Sequence, residues 1–307
     1  MKLLFVCTGN VFRSMSAEYL AKKHIKDNKI KGIEVSSAGT TARPQNPFSY
    51  TLKRLDKYGC NASKHRQTKV SNEVLKDKDF VICMAKHHQE VIKSLGYESV
   101  LFNFIAYGKN KDVMDEAEYE QKYGSYGDLE NYCNNLVDYL HDAMPKLIEG
   151  LDKFEIERKF MIKELPKNIS KYPKNKIIQG YFKDIKNKTV RIRKTTMKSK
   201  TEYFQTIKKG HGLIRKEIEK EINKESFDKL RKKVGKRHLE KTRYIIAYKA
   251  KKIELDVYEG KLKGLVTAEI EFKTLLESKK FIIPKRFDKE LTKNRKFTNS
   301  NLAKKSD

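Results

Sequence analysis

A chain of 307 residues with 38% hydrophobic, 10% aromatic and 35% charged residues is long enough to bury two cores and too ionic for a membrane-embedded protein. No apolar run approaches the ~20 residues that span a bilayer, and the four cysteines, Cys7, Cys60, Cys83 and Cys133, have neither metal-ligand spacing nor disulfide-scaffold density, so reduced thiols and a cytoplasmic location are expected. The formal net charge of +28 is uneven: residues 1–150 carry 22 Lys and Arg against 19 Asp and Glu, and residues 151–307 carry 46 against 21, which fits either a polyanionic partner or a merely solvated Lys-rich surface.

The first predicted strand, Leu3 to Val6, is too short for a signal-peptide core and runs into Cys7-Thr8-Gly9-Asn10-Val11-Phe12-Arg13-Ser14. A helix from Ser14 to about Lys29, a strand from Ile33 to Ser37 and a helix around Tyr50 to Tyr58 follow. Next come a buried strand Phe80–Met84, a helix near His88 to Leu95, a strand near Val100 to Asn103 and a closing helix from about Glu130 to Glu149. This alternation predicts a doubly wound α/β domain over 1–150 with a parallel sheet, and places Cys7 at the carboxyl end of its strand, where such sheets bind ligand.

The loop after that strand carries chemistry. Gly9 and Asn10 tolerate positive φ, so successive N–H groups can turn inward around a tetrahedral anion, and the following helix adds its positive end. Such a field favours a thiolate at Cys7, and Arg13 offers a planar fork for two phosphate oxygens. A lone cysteine is otherwise a small buried hydrophobe, but Gly9, Asn10, Ser14 and the strand-to-helix setting point to function.

These residues resemble the low-molecular-weight protein tyrosine phosphatases, and Ser36-Ser37-Ala38-Gly39-Thr40 is similar to that family's second motif. The resemblance implies Cys7 as nucleophile and Arg13 as phosphate grip, with Thr8, Gly9, Asn10, Val11, Phe12 and Ser14 as loop support. Asp112-Val113-Met114-Asp115 resembles the acidic loop, which makes Asp115 the general acid, although Glu116 stands where the family has Pro. Phe12 stands where many relatives carry a second Cys, so Cys7 oxidation has no disulfide refuge and runs to sulfenic acid or further. Val11 occupies the position of a Thr in phosphoarginine-specific relatives, which favours phosphotyrosine and keeps a protein-arginine phosphatase as the alternative.

From Phe154 the pattern becomes β-rich with alternating charge: 154–160, 189–193, 203–208, 215–219, 241–244, 253–257 and 268–272. Residues two apart on a strand share a face, so Glu155, Glu157 and Lys159 point together, as do Arg191 with Arg193, Glu217 with Glu219, Lys241 with Arg243, and Glu269 with Glu271. One such strand is most simply amphipathic with a wet face, but a whole series predicts a closed barrel with a polar interior.

The ordered series resembles the CYTH, or triphosphate tunnel metalloenzyme, family over about 154–303, which implies an antiparallel eight-stranded β-barrel, or tunnel, with peripheral helices. By that resemblance Glu155, Glu157, Glu217, Glu219, Asp256, Glu269 and Glu271 hold Mg2+ or Mn2+ or orient water, and Lys159, Arg191, Arg193, Lys208, Arg215, Lys241 and Arg243 hold the triphosphate. The expected protein is a phosphocysteine-type phosphatase of phosphorylated proteins fused to a metal-dependent inorganic triphosphatase of a small polyphosphate. Thiamine triphosphatase, class IV adenylate cyclase and a non-catalytic polyphosphate- or RNA-binding module are the alternatives for the second half. Retained acidic pairs argue against a pure polyanion binder, because carboxylates repel phosphate.

Overall fold

The structure, a computed structural model, describes residues 1–114, 129–151, 153–183, 188–209 and 214–304. It divides into two compact units, Met1–Asp152 with Thr274–Glu277, and Lys153–Lys273 with Ser278–Asp307. No helix among the described residues is long and apolar enough to cross a membrane.

In the first unit the strands β1 (Lys2–Cys7), β2 (Glu34–Gly39), β3 (Phe80–Cys83) and β4 (Val100–Leu101) form a parallel sheet in the order β2-β1-β3-β4. A parallel sheet covered by helices is apolar along its strands, and Leu3, Leu4, Phe5, Val6, Phe80, Val81, Ile82 and Cys83 are all buried. The helices are α1 (Arg13–Asp27), α2 (Ser49–Lys57), α3 (Asn72–Leu75), α4 (Lys86–Ser94), α5 (Phe102–Tyr107) and α6 (Leu129–Leu151). Along α6, Leu136, Val137, Leu140, Met144, Leu147, Ile148 and Leu151 recur at helical spacing and are buried. Gly150 permits that helix to approach α5, since a Cβ there would meet the Ile105 carbonyl at 2.7 Å.

The expected strand ending at Asn103 stops instead at Leu101. Phe102 and Asn103 open α5, which ends at Gly108 with φ 66. A short apolar run is compatible with either state, and here the last sheet strand contributes only two paired residues, Val100 and Leu101.

The second unit is built from β5 (Phe154–Ile162), β6 (Lys174–Tyr181), β7 (Lys188–Thr196), β8 (Thr201–Lys209), β9 (Ile214–Glu221), β10 (His238–Tyr248), β11 (Lys251–Tyr258) and β12 (Val266–Phe272). Their order is β12-β11-β10-β6-β7-β8-β9-β5, and β5 pairs back onto β12, so eight antiparallel strands close into a barrel. β13 (Phe287–Glu290) adds to β5 from outside the ring. The helices in this part of the chain are α7 (Lys224–Val234), α8 (Leu275–Lys280) and α9 (Asn299–Lys304). α7 packs Phe227 and Val234 against Ile192, and α9 packs Leu302 and Ala303 against Tyr181, Leu239 and Tyr258.

Charge alternation does not predict β6. That strand carries Ile177, Gln179 and Tyr181 on the face where its neighbours carry charge, so it lacks their signature, yet it bridges β10 and β7.

Candidate active sites

Cys7 ends β1 beside the point where the strand order reverses, between β1 and β3. Asn10 adopts φ 57, the left-handed region, while Gly9 does not, so the turn predicted for the pair is made by Asn10 alone. The Asn10 N–H donates to Cys7 Sγ at 3.3 Å, and Ser14 Oγ lies 3.0 Å from the same sulfur. Asn10 Nδ2 donates to Ser14 Oγ at 3.0 Å and to Ser37 Oγ at 2.7 Å, and its Oδ1 accepts the Thr68 N–H at 2.8 Å. With one lone pair taken by Asn10, the Ser14 hydroxyl can turn its proton to Cys7 Sγ or to the Ala38 carbonyl at 3.3 Å.

A buried brace surrounds that loop. Ser37 Oγ donates to Glu18 Oε2 at 2.5 Å, and His65 Nε2–H donates to the Asn10 carbonyl at 2.8 Å. Gly39 passes directly under the loop, where a Cβ would meet the Thr8 carbonyl at 2.5 Å and the Asn10 nitrogen at 2.9 Å. No motif singles out Glu18, Ser37 and His65 as a set, because residues scattered over three elements meet only in space.

Arg13 begins α1, is 8% exposed, and donates from Nη1 to the Val113 carbonyl at 3.3 Å. Val113 is itself fixed by its N–H to the Met84 carbonyl at 2.7 Å, and Asp112 accepts the Lys86 N–H at 3.1 Å. The chain leading to the expected acid is therefore tied to both the end of β3 and the start of α4, while Asp115 lies outside the described residues. Phe12 is buried edge-on against Phe48 and Tyr132, and Val11 is buried.

In the barrel, antiparallel partners share a face, and the register brings nearly every expected residue into one interior. Glu155 opposes Arg215, Lys208 opposes Glu217, Thr206 lies between Arg191 and Glu219, Glu269 opposes Lys159, and Arg243 opposes Asp256. On one side Lys208 Nζ reaches Glu155 at 2.5 Å and Glu217 at 2.9 Å, Arg215 reaches Glu155 at 3.3 Å and also Glu157, and Arg193 reaches Glu219 at 2.7 Å. On the other, Lys159 reaches Glu269 at 3.1 Å and Arg243 reaches Glu269 at 2.7 Å.

Asp256 is wholly buried and gripped by Arg243, at 2.6 and 2.7 Å, and by Lys241, much as Lys208 and Arg215 hold Glu155 and as Lys159 and Arg243 hold Glu269. Glu254, absent from the set that the resemblance implies, also faces inward and pairs with Arg243. Asn299 of α9 accepts from Lys159 Nζ at 3.0 Å and from the Tyr258 hydroxyl at 2.6 Å, closing one part of the interior with a neutral group.

The charges are nearly matched but not evenly. Burial pushes the Glu157 carboxyl up, and Glu155 and Glu269 add to that against Arg215. Glu271, at the rim, is raised by partial loss of hydration and by Glu254, Glu155 and Glu157. Glu157 and Glu271 oppose each other directly in the β5–β12 register. Elsewhere positive charge is in excess: burial lowers Arg193, with Arg191 and Arg243 adding, and burial together with Arg243 pushes Lys241 down to about 8 despite Asp256. The Nε–H groups of Arg193 and Arg215 are buried with no acceptor among the described residues. Among the described residues no three His, Cys, Asp or Glu side chains are arranged to hold a metal ion as they stand. Glu157 and Glu271 are thus opposed carboxylates whose protonation is favoured.

Residues 2–156 match the family described as low molecular weight phosphotyrosine protein phosphatase. The chain is 34% identical over 151 residues to an inorganic triphosphatase of Nitrosomonas europaea, covering 48% of this chain and 96% of that protein. It is 30% identical over 142 residues to the low molecular weight protein-tyrosine-phosphatase PtpA of Staphylococcus aureus, covering 44% of this chain and 91% of that protein. Among solved structures, an inorganic triphosphatase matches at 32% identity and a TM-score of 0.38, over 48% of this chain and 93% of that one. A low molecular weight protein tyrosine phosphatase of T. tengcongensis matches at 30% identity and 0.43, over 48% and 98%. With a phosphate-type loop at the end of β1 and a closed charged barrel behind it in sequence, the chain belongs to the low molecular weight phosphotyrosine protein phosphatase family, in fusion with a triphosphatase tunnel domain.

Proposed function

We propose that the first unit hydrolyses phosphotyrosine in proteins through a phosphocysteine, and that the second hydrolyses inorganic triphosphate with the help of a divalent cation. For the first unit the supporting observation is the Cys7 sulfur held between the Asn10 N–H and the Ser14 hydroxyl. Both donors stabilise a thiolate and, later, the sulfur as it departs. Cys7 Sγ attacks phosphorus, the S–P bond forms and the P–O bond to the tyrosyl oxygen breaks, while Asp115 gives that oxygen a proton. Water then attacks phosphorus, Asp115 takes its proton, and the S–P bond breaks to return the thiolate. Arg13, oriented by the Val113 carbonyl, holds two equatorial oxygens throughout. The aliphatic Val11 supports tyrosine over arginine as the phosphate carrier.

For the tunnel, the supporting observation is one interior that holds both opposed carboxylates, Glu157 against Glu271, and guanidinium Nε–H groups, on Arg193 and on the Arg215 that pairs with Glu157, which find no acceptor among the described residues. Glu155, Glu157, Glu269, Glu271, Glu217 and Glu219 would hold the cation, assisted by Glu254. A bound Mg2+ or Mn2+ supplies Lewis-acid polarisation of phosphate oxygens and activation of water. Arg191, Arg193, Arg215, Lys208, Lys241, Lys159 and Arg243 bind and align the chain of phosphates, while Asp256 keeps Lys241 and Arg243 aimed inward. The product balance is one orthophosphate and one diphosphate per triphosphate and water. A near-neutral interior admits a cation and a polyphosphate together at less electrostatic cost than either alone.

The decisive experiment assays the full chain and two variants. Cys7→Ser should abolish release of phosphate from phosphotyrosine peptides and leave triphosphate hydrolysis intact. Glu155→Ala with Glu157→Ala should do the reverse, and EDTA should silence triphosphate hydrolysis alone. Loss of both activities in either variant, or metal-independent triphosphate hydrolysis, sinks the assignment.

A further inference from the structure

His88 belongs to no motif of the phosphate loop, yet it is a fully buried imidazole on α4 aimed at that loop. Its Nδ1 accepts the Ala85 N–H at 3.1 Å. Burial, and after it His87 and Arg13, lower its pKa to about 3, so the ring is neutral at ordinary pH and its one proton must be on Nε2. That nitrogen lies 2.9 Å from Thr8 Oγ1, so the imidazole donates and the threonine accepts.

The consequence falls on Thr8. A hydroxyl that accepts from a ring N–H keeps one proton to give away, and among the described residues no protein acceptor takes it. The Thr8 backbone is already held, because its carbonyl accepts the Thr41 N–H at 3.0 Å. The side chain is exposed, at the residue directly after Cys7 and on the same loop as Asn10 and Arg13. A buried, single-tautomer histidine is a costly way to cap a helix, and the second bond it makes fixes the polarity of a loop hydroxyl.

We propose that Thr8 is a further phosphate ligand of the first unit, donating its hydroxyl proton to an oxygen of the bound phosphoryl group, and that His88 is the positioning residue that makes it a donor. This rests on the phosphatase reading of the Cys7 site. It adds a side-chain hydroxyl to the backbone N–H groups and Arg13 as a phosphate grip, and it makes α4 part of the site.

The test uses the full chain in EDTA, with p-nitrophenyl phosphate as substrate and inorganic phosphate as competitive inhibitor. Thr8→Val, which keeps shape and loses the hydroxyl, should raise the phosphate inhibition constant about tenfold, the range of a charge-assisted hydrogen bond. Thr8→Ser should restore most of that affinity. His88→Leu should match Thr8→Val, and the double variant should be no weaker than either single one, because both remove the same bond. If His88→Leu does not fold, His88→Gln, which can accept from Ala85 and donate to Thr8, should retain affinity close to wild type. An unchanged inhibition constant in folded Thr8→Val, or a further loss when His88→Leu is added to it, overturns the proposal while turnover by wild type still supports the phosphatase. No turnover by wild type, or turnover that survives Cys7→Ser, removes the phosphatase reading and this proposal with it.

Discussion

Glu157 on β5 and Glu271 on β12 stand directly opposite one another across the antiparallel pair that closes the barrel. Like charges in that position oppose folding, and both carboxyls are raised above the ordinary 4.5. By linkage, a carboxyl raised in the folded state contributes stability below its unfolded pKa and loses it as pH rises through the folded value. At neutral pH the pair is therefore a liability, one that the proposed cation would relieve. Glu271→Gln should raise the metal-free melting temperature by about 1–2 °C and shrink the further rise produced by MgCl2. Thermal unfolding of the full chain with EDTA or MgCl2 checks both signs, and an undiminished magnesium shift would falsify the ligand role of Glu271.

Asp256 predicts the opposite behaviour. Held by Lys241 and Arg243 with no exposure, it is one corner of a buried ionic brace. Removing it strands the buried Lys241 ammonium and takes one of three carboxylates from Arg243, which keeps Glu254 and Glu269, at a cost of about 3–5 kcal/mol. Asp256→Asn should lower stability equally in EDTA and in magnesium. A destabilisation seen only with magnesium would return Asp256 to the ligand set.

His88 sets an acid limit on the first unit. Its folded pKa of about 3 lies below the ordinary 6.5 because burial disfavours the charged ring. Above pH 6.5 both states are neutral and the group is silent. As pH falls from there toward 3 the unfolded chain takes up a proton that the folded one refuses, and stability falls with a slope of up to ~1.4 kcal/mol per pH unit. Denaturant unfolding followed through the β1 and β3 amide signals should show this slope in wild type and its loss in His88→Gln. Equal slopes in the two proteins would place the acid sensitivity elsewhere.

The cysteines should differ in reactivity. Burial pushes Cys60 up to about 11 and Cys83 up to about 12, so at pH 7.5 their thiolate fractions are negligible. Iodoacetamide should modify Cys7 first, and inorganic phosphate should slow that reaction. Mass spectrometry of the labelled peptides decides it, and early labelling of Cys60 or Cys83 would contradict the burial argument.

The phosphate loop is legible in the sequence because its chemistry is local: a strand end, a turn residue able to take positive φ, and a helix start lie within eight consecutive positions. The support of that loop is not legible. Glu18, His65 and His88 carry no spacing signal, and Ser37 stands in the second motif without showing its partners, since the four come from α1, β2, a turn and α4 and meet only when the sheet is assembled. The same holds for Glu254: its strand and Arg243 both show in the charge pattern, but the pairing of the two does not.

Alternating charge along a strand determines which residues share a face, and that is enough to foresee a polar-lined barrel and the side chains within it. It says nothing about which strand lies beside which. That choice belongs to closure: β5 and β12, far apart in sequence, meet only because six intervening strands twist and tilt until the ring completes. Their register then sets Glu157 against Glu271 and Lys159 against Glu269, and so decides where the interior is short of positive charge and where it is not.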